Sequence, residues 1–135
     1  MSVAWAGQSA EPFAGDASAL AFRSFLAVAE RWALPVRERL LLLDIAKSTY
    51  TVWLKRLEQG TLADLDRDKL DRMAYVLGVY ELAGSVFPDG VAWLTRPNRA
   101  PVFQDRRPLD RMLDGRMEDL METLSYLKTA AMGLL

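Results

Sequence analysis

The 135 residues contain no cysteine and no histidine, which excludes thiol nucleophiles, disulfides, zinc-finger ligand sets and the commonest general base. Hydrophobic residues make up 51 % and charged ones 26 %, with a net charge of −1. That is the composition of a globular chain long enough for a real core. The charge is uneven: residues 31–60 carry six basic side chains (Arg31, Arg37, Arg39, Lys47, Lys55, Arg56) against three acidic ones (Glu38, Asp44, Glu58), in an otherwise slightly acidic chain. A local basic patch of this kind suits nucleic acid, and equally a solvated helix face. Residues 1–15 lack a basic start and a continuous apolar run, so no signal peptide is expected, and no apolar run is long enough to cross a membrane.

Taken in order, residues 1–15 are rich in Ala, Gly and Ser and are expected to form a flexible tail. Asp16 or Ser18 can cap a first helix running to about Ala33, in which Phe22, Phe25, Leu26, Ala29 and Trp32 fall on one stripe. Pro35 interrupts, and a short helix follows over Val36–Leu43. After Asp44-Ile45 a third helix is expected over Ala46–Leu57. Helix, short turn, helix is the spacing of a helix-turn-helix, and Asp44 stands where the turn needs a residue that tolerates the left-handed region. Leu40, Leu43, Ile45, Tyr50 and Trp53 form the expected packed face. Lys47, Ser48, Thr51, Val52, Lys55 and Arg56 are then exposed on the reading helix, and all but Val52 suit contact with phosphates or base edges. A solvated helical hairpin fits the same pattern.

Gly60 closes the third helix and Asp66 caps a fourth, whose stripe of Leu70, Met73, Ala74 and Leu77 is expected to stop at Gly78. Val79–Phe87 forms a fifth helix before the turn signal Pro88-Asp89-Gly90. Val91–Leu94 reads as a helical turn.

The stretch from Trp93 to Gly115 holds three of the six prolines together with Trp93 and Phe103. Pro97-Asn98 reads as the centre of a tight turn, Pro101 as a residue that keeps the chain extended, and Phe103 as a buried pin. Pro108 suits the first turn of a short helix, and Gly115 its end. A longer helix over Arg116–Ala131 follows. Met117, Leu120, Met121, Leu124 and Leu127 are its expected apolar face, with Glu118, Asp119, Glu122 and Lys128 toward water. No useful strand alternation appears, so the chain is expected to be all-α.

Trp93-Leu94, Pro97-Asn98, Phe103, Pro108-Leu109 and Gly115, followed by Leu120, Leu124 and Tyr126-Leu127, resemble the toxin-binding domain of Xre/MbcA/ParS-type antitoxins, the partners of RES-domain toxins. The helical region before it resembles that family's helix-turn-helix part. Three departures stand out. Gln104-Asp105 occupies positions where the family usually has glycines, Ser125 one where it tends to carry Arg, and Val52 one where relatives often carry Arg.

The resemblance implies a division into a tail (1–15), an Xre-like helix-turn-helix unit (16–88) and a toxin-binding unit (89–135). It implies an antitoxin that neutralises an NAD-consuming RES-domain toxin and represses its own operon by binding operator DNA as a homodimer, in the cytoplasm. The alternative is a stand-alone helix-turn-helix regulator that dimerises through its C-terminal part. Tyr126, Lys128, Met132, Leu134 and Leu135 are the expected toxin contacts, since apolar groups in a free end suit burial against a partner, although Leu134 and Leu135 can equally fold back on the chain's own core.

Catalysis is not expected. Asp110, Asp114 and Glu118 recur every four residues, but Arg107 and Arg111 lie three residues before Asp110 and Asp114, the spacing of ordinary helix ion pairs, and Arg116 stands between Asp114 and Glu118. Neither a GxGxxG nor a P-loop is present. No cofactor and no metal are expected; NAD would bind the toxin.

Overall fold

The computed structural model describes residues 10–135, with side chains from Asp16 onward. Residues 1–9, and with them most of the expected tail, lie outside the described residues. Seven helices and no strand follow: α1 (Ala10–Arg31), α2 (Val36–Leu43), α3 (Lys47–Gln59), α4 (Arg67–Val86), α5 (Gly90–Thr95), α6 (Pro108–Leu113) and α7 (Met117–Ala131).

Four helices end in the same way. A residue at or just beyond the helix end takes a left-handed conformation, and two backbone N–H groups fold back onto the last turn. At α2 the left-handed residue is Asp44 (φ 54), with Ile45 N–H donating to Leu40 O at 3.2 Å and Asp44 N–H to Leu41 O at 3.3 Å. Gly60 does the same after α3 and Gly133 after α7. At α1 the position falls to Ala33 (φ 55), whose Cβ makes that conformation costly.

Two expectations about helix ends do not hold. Asp16 and Ser18 cap nothing, because α1 is already under way at Ala10. Ser18 is instead buried, and its hydroxyl accepts the Leu65 N–H at 3.1 Å, tying α1 to the connector between α3 and α4. Gly78 does not stop a helix either. It lies inside α4, which runs unbroken to Val86. A Cβ there would stand 3.1 Å from Leu124 Cδ1, so the glycine sets how closely α4 and α7 approach.

The long α4 is the axis of the molecule, packing against α1, α2, α5 and α7. One apolar core runs through all of these contacts: Phe22 and Phe25 of α1, Leu42 and Leu43 of α2, Met73, Val76 and Val79 of α4, Leu94 of α5, Met112 of α6, Leu120 and Leu127 of α7. Tyr50 of α3 joins it fully, Leu40, Ile45 and Trp53 partly, and Phe22 meets the Tyr50 and Trp53 rings edge-on at 6.0 and 5.5 Å.

Arg72 has no counterpart among the sequence expectations. It shares a face of α4 with the buried Val76, Val79 and Ala83 and is itself buried. Its guanidinium donates to Asp68 at 3.1 Å, to the Leu42 carbonyl at 3.2 Å and to the Gly115 carbonyl at 2.7 Å. One cation therefore satisfies an orphan carbonyl at the end of α2 and another at the α6–α7 junction. The visible signal was an Arg in register with buried apolar residues and four positions after an Asp. Gly115 needs its own freedom at this junction: φ is +87, and a Cβ would stand 3.3 Å from Leu41 O.

Candidate functional site

Of the six cations between residues 31 and 60, three stand around the α1–α2 corner. Arg39 donates to the Leu34 carbonyl at 2.9 Å and to Glu30 at 2.8 Å, and also reaches the Tyr50 hydroxyl at 3.3 Å. Arg31 lies over the Tyr80 ring and donates to its hydroxyl, and Arg37 pairs loosely with Glu38 at 3.8 Å. The remaining three, Lys47, Lys55 and Arg56, are exposed on α3 with no acidic partner among the described residues. Ser48 and Thr51 are exposed on the same helix, with Thr51 Oγ1 donating to the Lys47 carbonyl at 3.0 Å. Val52, 44 % exposed, contributes an uncharged patch among them. Ala46 offers no side-chain cap, so the first N–H groups of α3 stay open to an external acceptor.

The second region is the loop between α5 and α6. Phe103 is buried, as expected. Trp93 is only half-buried, because it is the middle of an aromatic stack: Phe87 lies parallel to it at 5.3 Å, Tyr126 at 6.1 Å, and Phe103 meets it edge-on at 5.8 Å. Tyr126 also meets Phe103 edge-on at 5.1 Å, so its ring is held by this chain and half-buried.

The loop backbone differs from expectation in two places. The turn is not centred on the exposed Pro97 and its neighbour Asn98. Instead Asn98 exchanges hydrogen bonds across the loop, donating to Arg106 O at 3.0 Å and accepting from Asp105 N at 2.9 Å, while its side chain accepts from Ala100 N at 2.9 Å. Pro101 is not extended. It opens a helical turn in which Phe103 and Gln104 N–H both donate to Ala100 O. The closing residues Gln104 (φ 52) and Asp105 (φ 65) are both left-handed. The loop geometry suits glycine at these positions, and this chain meets it with two side-chain-bearing residues.

Pro108 is buried at the first position of α6, and Gly115 follows that helix, both as expected. The acids around them are consumed by arginines: Arg107 with Asp110 at 2.6 Å, Arg106 with Asp114 at 2.9 Å, Arg111 with Asp119 at 2.8 Å and with Glu122. Asp119 was expected to face water, yet it is fully buried. It accepts from Arg111 Nε, from Arg116 Nε and from the Arg116 backbone N–H, closing the first turn of α7. Burial pushes its carboxyl up, but the hydrogen bonds from Arg116 and Arg111 outweigh that and leave it below the usual carboxylate range. Hydrogen bonds from Arg107 and Arg106 hold Asp110 and Asp114 below it as well. No cluster of acids suited to a metal ion exists among the described residues.

Met121, expected on the apolar face of α7, is 46 % exposed. Beyond the helix, Met132, Leu134 and Leu135 are 69 %, 66 % and 68 % exposed. Lys128, one turn earlier, is exposed too. Leu134 and Leu135 therefore do not fold back on the core, although the backbone that carries Leu134 is fixed by its N–H donating to Thr129 O at 3.1 Å. Among the described residues no helix is long and apolar enough to cross a membrane.

A comparison with protein families matches residues 80–131 to the antitoxin Xre/MbcA/ParS C-terminal toxin-binding domain. The match begins inside α4 and takes in the aromatic stack, the loop and α5 to α7. Neither the curated proteins nor the solved structures yielded a match.

Proposed function

We propose, for a chain whose residues 80–131 match the Xre/MbcA/ParS antitoxin C-terminal toxin-binding domain, that it is the antitoxin of a type II toxin–antitoxin pair, neutralising an NAD-consuming RES-domain toxin and repressing its own operon. The family match carries the toxin-binding half. The exposed Met132, Leu134 and Leu135 support it, since three large apolar side chains held in water by an ordered backbone suit burial against a partner. Lys128 adds a charge at the rim and Tyr126 a half-buried aromatic anchor.

The DNA-binding half rests on α3 as the reading helix of a helix-turn-helix formed with α2. Lys47, Lys55 and Arg56 take phosphates, and Ser48 and Thr51 stand nearest the bases. A homodimer presents two such helices to paired half-sites. In this reading the protein works in the cytoplasm, beside its operator and the NAD pool it guards.

Co-expression with a cognate RES-domain toxin is the deciding experiment. The pair should copurify, and cellular NAD should stay high. Serine at positions 132, 134 and 135 together should weaken the complex without lowering the melting temperature. On the operator fragment, the Lys47→Ala/Lys55→Ala protein should lose about two units of salt slope, near 0.9 per phosphate contact. DNA binding with no toxin binding would leave the stand-alone regulator.

A further inference from the structure

Residues 89–135 contain six arginines, and the structure divides them sharply. Arg106, Arg107, Arg111 and Arg116 are each paired with at least one carboxylate of this chain. Arg96 and Arg99 are exposed and have no ion pair and no side-chain hydrogen bond among the described residues. Yet they flank a residue whose backbone and side chain are both hydrogen-bonded within the loop. Asn98, between them, makes the two cross-loop bonds and the side-chain bond to Ala100 N described above. Pro97 fixes its own φ. Two exposed, unpaired guanidiniums thus project from a hydrogen-bonded loop.

Arg96 also lines a groove of about 370 Å³, whose walls include Phe87, Ala92, Trp93 and Pro97. That volume holds one or two side chains. Asp89 borders the same groove, but its carboxylate caps α5 by accepting the Ala92 N–H at 3.0 Å and forms no ion pair with Arg96. The groove therefore has an apolar floor, with the unpaired Arg96 at one edge and the helix-capping Asp89 at another, and Arg99 is exposed three residues further along the loop. Its walls and both arginines lie within residues 80–131.

We propose that this groove receives a segment of the toxin in which an apolar or aromatic side chain is flanked by carboxylates, the side chain entering between Trp93 and Pro97 and the carboxylates meeting Arg96 and Arg99. The proposal rests on the antitoxin reading and adds to it a docking surface and the chemistry of what docks. A carboxylate is the complement that a fork-shaped guanidinium binds best, and the preformed loop spares the ordering cost of the contact. The rim charges act chiefly on encounter, so their contribution falls with salt.

The test is binding of a cognate RES-domain toxin to the full-length protein and to its Arg96→Glu/Arg99→Glu variant. Neither side chain holds the fold, so an unchanged melting temperature is expected. Association should slow at least tenfold at low salt, with the difference largely gone near 1 M salt. Arg96→Ala/Arg99→Ala should show the same trend at smaller size. A wild-type protein that fails to bind toxin at all overturns the antitoxin reading itself. Wild-type binding that the charge reversal leaves unchanged at every salt concentration overturns the groove alone. Toxin binding unchanged but operator binding lost would make the arginines nucleic-acid contacts, and overturns it too.

Discussion

Replacing Asp119 with Asn keeps the shape of a fully buried side chain and removes its charge. The wild-type carboxylate accepts from Arg111 Nε at 2.8 Å and from the Arg116 backbone N–H at 3.1 Å, and is bonded twice by the Arg116 guanidinium at 3.1 Å. The Arg116 side chain is 64 % exposed, so its share counts for little. The Arg111 side chain is only 17 % exposed, and its charge-assisted bond contributes about 1.5–2 kcal/mol. The Asn carboxamide has one oxygen, so it keeps either the backbone bond closing the first turn of α7 or the Arg111 bond. Its NH2 group then faces the other donor, a buried mismatch that costs about 1 kcal/mol more. The expected loss is therefore about 3 kcal/mol, or a melting temperature roughly 10 °C lower for a chain of this size. Urea titration followed by circular dichroism measures it.

The pH dependence of that loss has a definite sign. The folded protein holds the Asp119 carboxyl below its unfolded value. Its contribution is full above about pH 4–5 and disappears as pH falls through the folded value. The gap between wild type and Asp119→Asn should thus stay flat from pH 7 to 5 and close below about pH 4. A loss under about 1 kcal/mol at pH 7, or a gap that persists unchanged to pH 3, would refute the assignment of Asp119 as a charged anchor.

Gln104→Gly should stabilise the protein by about 1 kcal/mol, because a left-handed residue sheds its Cβ conflict; thermal melts would register a rise of a few degrees. Ala33→Gly should gain a similar amount, since Ala33 is exposed and left-handed and loses no burial on substitution. Phe103→Ala should cost about 3–5 kcal/mol, as expected for a buried ring, with the edge-on contacts to Trp93 and Tyr126 lost as well. An unchanged melting temperature with toxin binding abolished would instead make Phe103 a contact residue. Arg72→Met should loosen both ends at once, lowering hydrogen-exchange protection around Leu42 and around Gly115 alike.

Much of this could be read from the chain. Val36–Leu43, the left-handed Asp44, the Gly60 stop, the Asp66 cap and the α6–α7 pair follow from local signals that tertiary packing did not override. Gly78 misled because glycine reads as a breaker in isolation, whereas here Leu124 fills the space a Cβ would need. Asp119 misled because periodicity assigns a charged residue to water; only the arrival of Arg111 from another helix makes its burial tolerable. Pro97-Asn98 has the residue types of a turn, but the partners that fix Asn98 come from Asp105 and Arg106, seven and eight positions on. The α3 face and the exposed Met132, Leu134 and Leu135 were legible as surfaces. Arg96 and Arg99 were not singled out, since an unpaired arginine is recognised only once every nearby acid has been assigned.

The unbroken α4 has a consequence for how such a molecule can change over generations. Recombination at the Pro88-Asp89-Gly90 turn looks harmless on the sequence, because it separates two recognisable stretches. It would nevertheless strip α7 of the wall it packs against, and leave Gly115 without the guanidinium that closes its carbonyl. A graft that respects the core has to carry α4 with α5, α6 and α7, and then match its other face to the α1 and α2 of the new host. Exchange of whole halves is therefore a poor route to a new specificity. Changes in exposed side chains, such as those of α3, Arg96, Arg99 and the residues after α7, leave this shared core untouched.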